Sequence, residues 1–168
     1  MINNNEPVIE HINKFLHFVD YSNEHAQSGN IVVDSILNYK LREAKNKGAQ
    51  IELELKIPRE LNIFPFDMGV ILGNLLDNAI TAVSKRDRER KIKVSMYFEK
   101  NTVYINIENT FDGNLIIEEG RYKTTNKDKF NHGFGLLSVK KILEKYNGEI
   151  HISSDGQVFT ANVLLYNN

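Results

Sequence analysis

The sequence lacks cysteine, an excess of charge of either sign and any long apolar run. Without cysteine there are no disulfides, thiolate metal sites or cysteine nucleophiles, which suits a reducing compartment such as the cytoplasm. Lysine and arginine number 21 against 22 acidic residues, so no overall field attracts nucleic acid or an anionic membrane. No apolar run approaches the ~20 residues of a membrane span, and residues 1–6 lack the features of a signal peptide. We expect a soluble chain that binds no nucleic acid and holds any phosphate at a local site.

The remaining composition is ordinary for a globular protein, with 168 residues, 41% of them hydrophobic and 26% charged. This length fits one compact domain with a helical appendage. Apolar residues at three- and four-residue steps predict four helices, over 8–26, 31–47, 66–83 and 136–146.

Alternating apolar and polar residues predict five strands, which are 51–57, 92–98, 103–107, 150–152 and 159–165. The second and third of these strands form a hairpin at 100–101. Because several strands are neighbours in sequence, we expect an α/β two-layer sandwich, in which three helices cover one face of a mixed sheet of about five strands.

Two stretches have no clear period. The charged run 84–90 predicts a solvated turn. Residues 110–132 are rich in Gly, Asn, Lys and Thr, and a structureless stretch of this length in a small domain is usually functional or mobile. We interpret 110–132 as a lid.

Two asparagines, Asn74 and Asn78, lie four residues apart in the third helix and therefore project from one face. Asparagine in mid-helix costs about 0.5 kcal/mol relative to alanine. A polar solvent face would account for the pair. The functional interpretation is that two amide oxygens hold a hydrated Mg²⁺ and the phosphates that it bridges, without the repulsion that carboxylates would add.

A pair of glycines, Gly133 and Gly135, precedes the fourth helix. Glycines let a backbone approach a ligand closely, and a helix N-terminus offers free N–H groups and a positive dipole end to phosphate. A turn with a helix cap has the same pattern, but several basic residues come just before it: Arg121, Lys123, Lys127 and Lys129.

A third motif is Asn109, which comes at the end of a predicted strand. A strand end that delivers an amide into a pocket can read the edge of a base. An ordinary exit from strand to turn is the alternative.

In this order, the three motifs resemble the ATP-binding domain shared by sensor histidine kinases, DNA gyrase, Hsp90 and MutL, the Bergerat (GHKL) fold. The resemblance is greater still to kinases of the quorum-sensing, accessory-gene-regulator type. Residues 70–80 resemble their N box, and 132–136 with 139–142 resembles their second glycine box. The resemblance covers about residues 29–165.

The resemblance implies Mg²⁺ and ATP as ligands and assigns roles to single residues. Asn78 would be the Mg²⁺ ligand, and Asn74 stands where hydrolysing relatives keep a glutamate that activates water. Asn109 stands where most relatives have an aspartate that accepts a hydrogen bond from the adenine amino group. The other implied nucleotide-binding residues are Gly113, Gly133, Gly135, Leu136, Thr160 and two lid residues that would reach the phosphates, Lys127 and His132.

The sequence departs from the family pattern in two places. Phe111 replaces the first glycine of an Asp-x-Gly-x-Gly box, of which Gly113 remains. Such kinases also phosphorylate a histidine in an earlier helix, and the surroundings of three histidines do not match that motif: His11, His17 and His25.

The missing acceptor motif implies that residues 1–28 are a remnant of the second helix of a dimerisation hairpin and that 29–168 is the ATP-binding domain. The phosphoacceptor helix would then belong to a longer, homodimeric protein in the cell membrane. That protein would serve a response regulator, and this chain would be its cytoplasmic part.

Two other functions remain open. The first is a stand-alone enzyme of the same fold, either a serine kinase of a regulatory protein or an ATP hydrolase; Asn74 argues against hydrolysis, and the long leading helix argues against a free-standing kinase. The second is a dimerisation module with a vestigial nucleotide site, which the glycine lost at Phe111 favours. A measurement of ATP binding separates the second from the others.

Overall fold

The computed structural model describes residues 25–113, 116–118, 121–123 and 133–167 of the protein. Its helices are α1 (Ile31–Asn46), α2 (Pro65–Ser84) and α3 (Gly133–Lys145). Its strands are β1 (Gln50–Lys56), β2 (Lys91–Glu99), β3 (Thr102–Thr110), β4 (Ile116–Glu118), β5 (Arg121–Lys123), β6 (Glu149–Asp155) and β7 (Val158–Tyr166). The predicted leading helix lies almost wholly outside the described residues.

Five strands form one sheet in the order β1-β2-β3-β7-β6. Strands β1 and β2 are parallel, and the other neighbours are antiparallel. Alternate residues of each central strand are buried, as Ile92, Val94 and Met96 are in β2, and they share one core with the three helices. The expected α/β two-layer sandwich with a mixed five-stranded sheet is therefore confirmed.

The predicted hairpin between β2 and β3 is confirmed. Its two turn residues, Lys100 and Asn101, have φ angles of 49° and 61°. Positive φ at both central residues is the geometry of a type I′ turn, whose twist matches that of the flanking strands. This turn sets the register in which Asn109 of β3 lies opposite Ile92 of β2.

Helix α2 lies at the centre of the helical layer. It packs against α1 and α3 and also against the strands β2 and β3. It alone, among the described residues, is long and apolar enough to cross a membrane, with a hydropathy of 1.2. Half of this apolar stretch is buried inside the domain, which makes α2 a core helix. Its buried residues are Asp67, Met68, Ile71, Leu72, Leu75, Leu76, Ala79, Ile80 and Val83.

Two segments differ from the sequence prediction. Helix α3 begins at Gly133 and not at 136, so both glycines of the predicted loop lie in its first turn. Residues 110–132 include two paired strands, β4 and β5, while the rest of the predicted lid beyond Gly113 lies outside the described residues. Three-residue strands are too short to give a period of two.

The start of α2 is joined to the end of α3 through the buried carboxylate of Asp67, which is 4% exposed. The hydroxyl of Tyr146 donates to Oδ2 of Asp67 at 2.7 Å, and Nζ of Lys145 donates to Oδ1 at 3.1 Å. The hydroxyl oxygen of Tyr146 in turn accepts from the backbone N–H of Phe64 at 3.0 Å. The bond from Tyr146, helped by Lys145, lowers the pKa of Asp67 against the opposing effect of burial.

This lowered pKa makes the stability of the protein depend on pH. The Asp67 carboxylate contributes stability above its unfolded pKa of about 3.9, and this is lost as pH falls through the lower folded value. We expect Tyr146→Phe to cost about 1 kcal/mol of unfolding free energy near neutral pH and less once Asp67 is protonated, because the bond is then no longer charge-assisted. Urea unfolding across the acid range measures both quantities.

The control for this prediction is Tyr39→Phe, because Tyr39 is 63% exposed and lies away from Asp67. It should leave stability unchanged at every pH. A loss in Tyr146→Phe that stays constant down to the acid unfolding limit would contradict a role for the charge of Asp67.

Candidate functional site

One end of the sheet gathers the residues that the sequence singles out. Strand β2 begins there at Lys91, β3 ends there at Thr110, and β7 begins there at Val158. Helix α2 ends at the same end, because only 85–90 connects it to β2. Helix α3 begins there, since its other end leads through 146–148 to β6, which starts at the opposite end of the sheet. We call this the site end.

Asn74 lies in the contact between α2 and α3. A Cβ built on Gly135 would come 2.7 Å from Oδ1 of Asn74, so only a glycine fits without displacing that side chain. Nδ2 of Asn74 donates to the carbonyl oxygen of Val70 at 2.7 Å, which holds the amide in place. The structure therefore brings Asn74 and Gly135 together, and Asn74 faces a helix rather than open solvent.

Asn78 lies one turn beyond Asn74 on the same face of α2, about 6 Å further along the helix axis. This places it about 3 Å beyond the first residue of α3, off the N-terminus of that helix, since the two helices run antiparallel with Asn74 beside Gly135. Its side chain is half-buried, and it makes no hydrogen bond to another described residue. Its amide oxygen is thus available at the site end.

Asn109 is 4% exposed and points to the helical side of the sheet, in line with Ile107 in β3. Its Nδ2 donates to the carbonyl oxygen of Thr110 at 3.1 Å. Two residues later Phe111, 6% exposed, packs edge-on against Phe159 with ring centroids 6.3 Å apart. The end of β3 therefore places an amide beside an aromatic pair.

The other expected site residues divide into three groups. Leu136 packs against the core in the first turn of α3, and Gly113 follows β3 with a φ of 81°. Thr160 is a correction: it pairs with Glu108 and Ser153, and side chains alternate along β7, so it lies on the sheet face opposite Asn109. The two expected phosphate contacts in the lid, Lys127 and His132, lie outside the described residues.

The sequence reading missed Arg86. It sits in the charged run expected to be a solvated turn, yet its side chain is only 9% exposed. Its guanidinium binds the carbonyl oxygen of Phe111 and, at 3.1 Å, Oε1 of Gln157. No local pattern distinguishes this arginine from the exposed Arg88 beside it.

In the described part of the chain, no group of three or more His, Cys, Asp or Glu side chains is arranged to hold an ion. Mg²⁺ commonly uses one or two protein oxygens, several waters and substrate phosphates rather than a protein cage. The amide oxygen of Asn78, which has no hydrogen-bond partner among the described residues, fits Mg²⁺ that arrives with a phosphate ligand.

Comparison with known proteins gives one family and several related structures. The GHKL domain model matches residues 63–166, well over half of the chain. A relative named "Probable C4-dicarboxylate sensor kinase", from Halalkalibacterium halodurans, is 28% identical over 130 residues, which are 72% of this chain and 24% of that protein. The chain thus spans about a quarter of the length of this relative.

The fold likeness extends to solved histidine kinases. The catalytic domain of the histidine kinase ThkA has a TM-score of 0.65 at 19% identity, over 82% of this chain and 91% of that one. The histidine kinase AdeS of Acinetobacter baumannii has a TM-score of 0.60 at 20% identity, over 96% and 80% of the two chains. At such identities the likeness is one of fold.

Proposed function

The chain belongs to the GHKL domain family and has the fold of histidine kinase catalytic domains, and from this we propose that it binds Mg-ATP and transfers the γ-phosphoryl group to a histidine on a separate dimerisation helix. The observation that supports the proposal is that three groups lie at the site end. These are the free amide of Asn78, the start of α3 against Asn74, and the amide of Asn109 beside an aromatic pair.

The phosphates would lie between Asn78 and the start of α3. The first N–H groups of a helix have no partner within the helix, and its dipole places positive charge there. Helix α3 is 13 residues long and directs this end toward the site end. Mg²⁺ held by Asn78 would neutralise charge on the phosphate oxygens. Gly135 lets α3 lie close to α2, the helix that carries Asn78.

The adenine base would lie at the end of β3. Because Nδ2 of Asn109 is engaged with the carbonyl of Thr110, its Oδ1 is left as the acceptor. An acceptor is what the amino group of adenine requires, so Asn109 can replace the aspartate of the related kinases. Phe111 and Phe159 supply an apolar wall next to it. Phe111, which replaces the glycine of the family, would thus contact the base.

Asn74 makes water a poor acceptor for the phosphoryl group. A general base must be able to take a proton, and an amide cannot do so near neutral pH. Moreover, Nδ2 of Asn74 is bound to Val70, and its Oδ1 packs at Gly135. The phosphoryl group is thereby retained for an acceptor placed in line with the γ-phosphorus, as transfer requires.

The finer parts of the proposal concern the longer protein. The N box and second glycine box support a quorum-sensing kinase of the accessory-gene-regulator type, while the relative from Halalkalibacterium halodurans is named for C4-dicarboxylate. In either case the chain would be the cytoplasmic domain of a membrane-bound homodimer. Its phosphoacceptor helix and response regulator would lie outside this chain.

The test is phosphoryl transfer from radiolabelled ATP, after calorimetry has established Mg-ATP binding to the full chain. The chain alone should bind ATP without labelling itself, because no acceptor motif surrounds His11, His17 or His25. A phosphoacceptor helix of the same kinase supplied in trans should become labelled. Absence of binding at millimolar ATP would support the vestigial module, rapid hydrolysis would support the hydrolase, and label on one of these histidines would contradict the separate acceptor.

A further inference from the structure

We propose that Arg86 is a positioning residue for the base-binding part of the site. Its guanidinium joins the end of β3 to the turn between β6 and β7 and so determines where Asn109 and Phe111 lie. This inference rests on the proposed nucleotide site, since it assigns to Arg86 control over how that site recognises adenine.

Arg86 is almost fully engaged by its neighbours. Nη1 donates to the carbonyl oxygen of Phe111, and Nη2 donates to Oε1 of Gln157 at 3.1 Å. Nη2 also reaches Oε2 of Glu89 at 3.4 Å, and Nε donates to the carbonyl oxygen of Arg88 at 3.2 Å. With a side chain 9% exposed, Arg86 is held in one orientation.

Two acceptors of Arg86 lie beside the ends of two strands that pair at the site end. Phe111 directly follows β3, and Gln157 lies in the turn before β7. These residues also bond to each other, since the N–H of Phe111 donates to the carbonyl oxygen of Gln157 at 2.9 Å. The guanidinium therefore closes a junction of three segments: the loop after α2, the end of β3 and the β6–β7 turn.

The loop that carries Arg86 is itself anchored, so it can act as a fixed support. The hydroxyl of Thr110 donates to the carbonyl oxygen of Glu89 at 2.6 Å and accepts from the N–H of Lys91 at 3.0 Å. On its other side, Arg90 donates to the carbonyl oxygen of Lys47 at 2.7 Å. The loop thus links the end of α1 to the end of β3.

Displacement of this junction would reach Asn109 through the two residues that follow it in the chain. Thr110 carries the carbonyl that orients the amide of Asn109, and Phe111 carries the carbonyl that Arg86 holds. Without Arg86, the carbonyl of Phe111 loses this hydrogen bond, and the segment 109–111 is no longer held in place by the guanidinium. We therefore expect the loss of Arg86 to alter mainly the orientation of Oδ1 of Asn109 toward the base.

The geometry requires arginine in particular. A guanidinium presents five N–H donors in a planar fork, whereas a lysine presents three donors on one nitrogen. Lysine at 86 keeps the charge and can reach one acceptor, but it cannot join Phe111, Gln157 and Arg88 at the same time. Arg86→Lys therefore separates the charge of this residue from its bridging geometry.

The experiment compares the full chain with Arg86→Lys, Gln157→Ala and the control Arg88→Gln. Affinities for Mg-ATP and for Mg-inosine triphosphate, which has a keto oxygen in place of the adenine amino group, are measured by calorimetry, with urea unfolding as the check on folding. We expect Arg86→Lys to lower the ATP-to-ITP preference by about threefold to tenfold, the range of one lost hydrogen bond. Gln157→Ala should change it less in the same direction, and Arg88→Gln should leave it unchanged.

The outcomes distinguish the two levels of the proposal. If the unaltered chain binds neither nucleotide, the proposed function fails. If it prefers ATP and the folded Arg86→Lys variant keeps the full preference, Arg86 is only a structural residue and this inference is overturned. If Arg86→Lys does not fold, Gln157→Ala decides, because it removes one arm of the junction without burying a charge, and an unchanged preference there also overturns the inference.

Discussion

Replacing Asn78 with alanine is expected to weaken ATP binding at least about tenfold in Mg²⁺, or ~1.4 kcal/mol, and to change it little in the presence of a chelator. The physical reason is that a metal ligand contributes to binding only when the metal is present. The half-buried amide of Asn78 has no hydrogen-bond partner among the described residues, so its removal should cost the fold little. Calorimetric titration with ATP under the two conditions gives the ratio.

The matched control is Asp77→Ala, which alters the neighbouring residue on the same helix. Asp77 is exposed and pairs with Lys40 at 2.5 Å, toward α1 and away from α3. This variant should bind Mg-ATP like the unaltered chain. An equal loss of affinity in Mg²⁺ and in chelator for Asn78→Ala would show that Asn78 acts through folding rather than through the metal.

Gly148→Ala is expected to lower the free energy of unfolding by about 1–3 kcal/mol, the usual cost of overpacking. Gly148 lies between α3 and β6, where an added Cβ would come 2.5 Å from the carbonyl oxygen of Leu164 and 3.2 Å from Cδ2 of Leu143. The carbonyl belongs to the backbone of β7, which is paired on both sides by β3 and β6, and it has little room to move. Urea unfolding measures the change.

Gly73→Ala provides the opposite case in the same protein. A Cβ on Gly73 would meet nothing within 4 Å, and alanine is favoured over glycine in a helix by up to about 1 kcal/mol. This variant should therefore be as stable as the original or more so. A Gly148→Ala variant that matches Gly73→Ala would contradict the close approach of Gly148 to β7.

The elements that the sequence predicted well are those whose burial follows a regular period. The alternation in β2 and β3 predicted both strands, and the structure adds only one to three residues at each end. The apolar stripe predicted a helix over 66–83, within one residue of α2 at each end, because this helix is buried along most of one side. In these segments the residues that are apolar by sequence period are the same residues that the tertiary structure buries.

The prediction was poorer where function or long-range contacts decide the structure. The start of α3 was misplaced because Gly133 and Gly135 disfavour a helix locally; the structure continues the helix through them, with Gly135 packed against Asn74. Thr160 was placed in the site by resemblance alone, and the register of β7 turns it to the other face of the sheet. A shift of one residue in a strand reverses the face, and no motif carries that information.

Within the candidate site, the sequence alone determined the residue types: amides at 74, 78 and 109 and a glycine at 135. Sequence motifs are enough to identify these residue types, because a turn of helix or the end of a strand carries them in any tertiary context. Only the tertiary structure decided that Asn74 packs on α3, that Asn109 keeps Oδ1 as an acceptor, and that the side chain of Arg86 is largely buried. The acceptors of Arg86 just after β3 and in the β6–β7 turn lie 25 and 71 residues along the chain, and partners so far apart meet only when the sheet has formed.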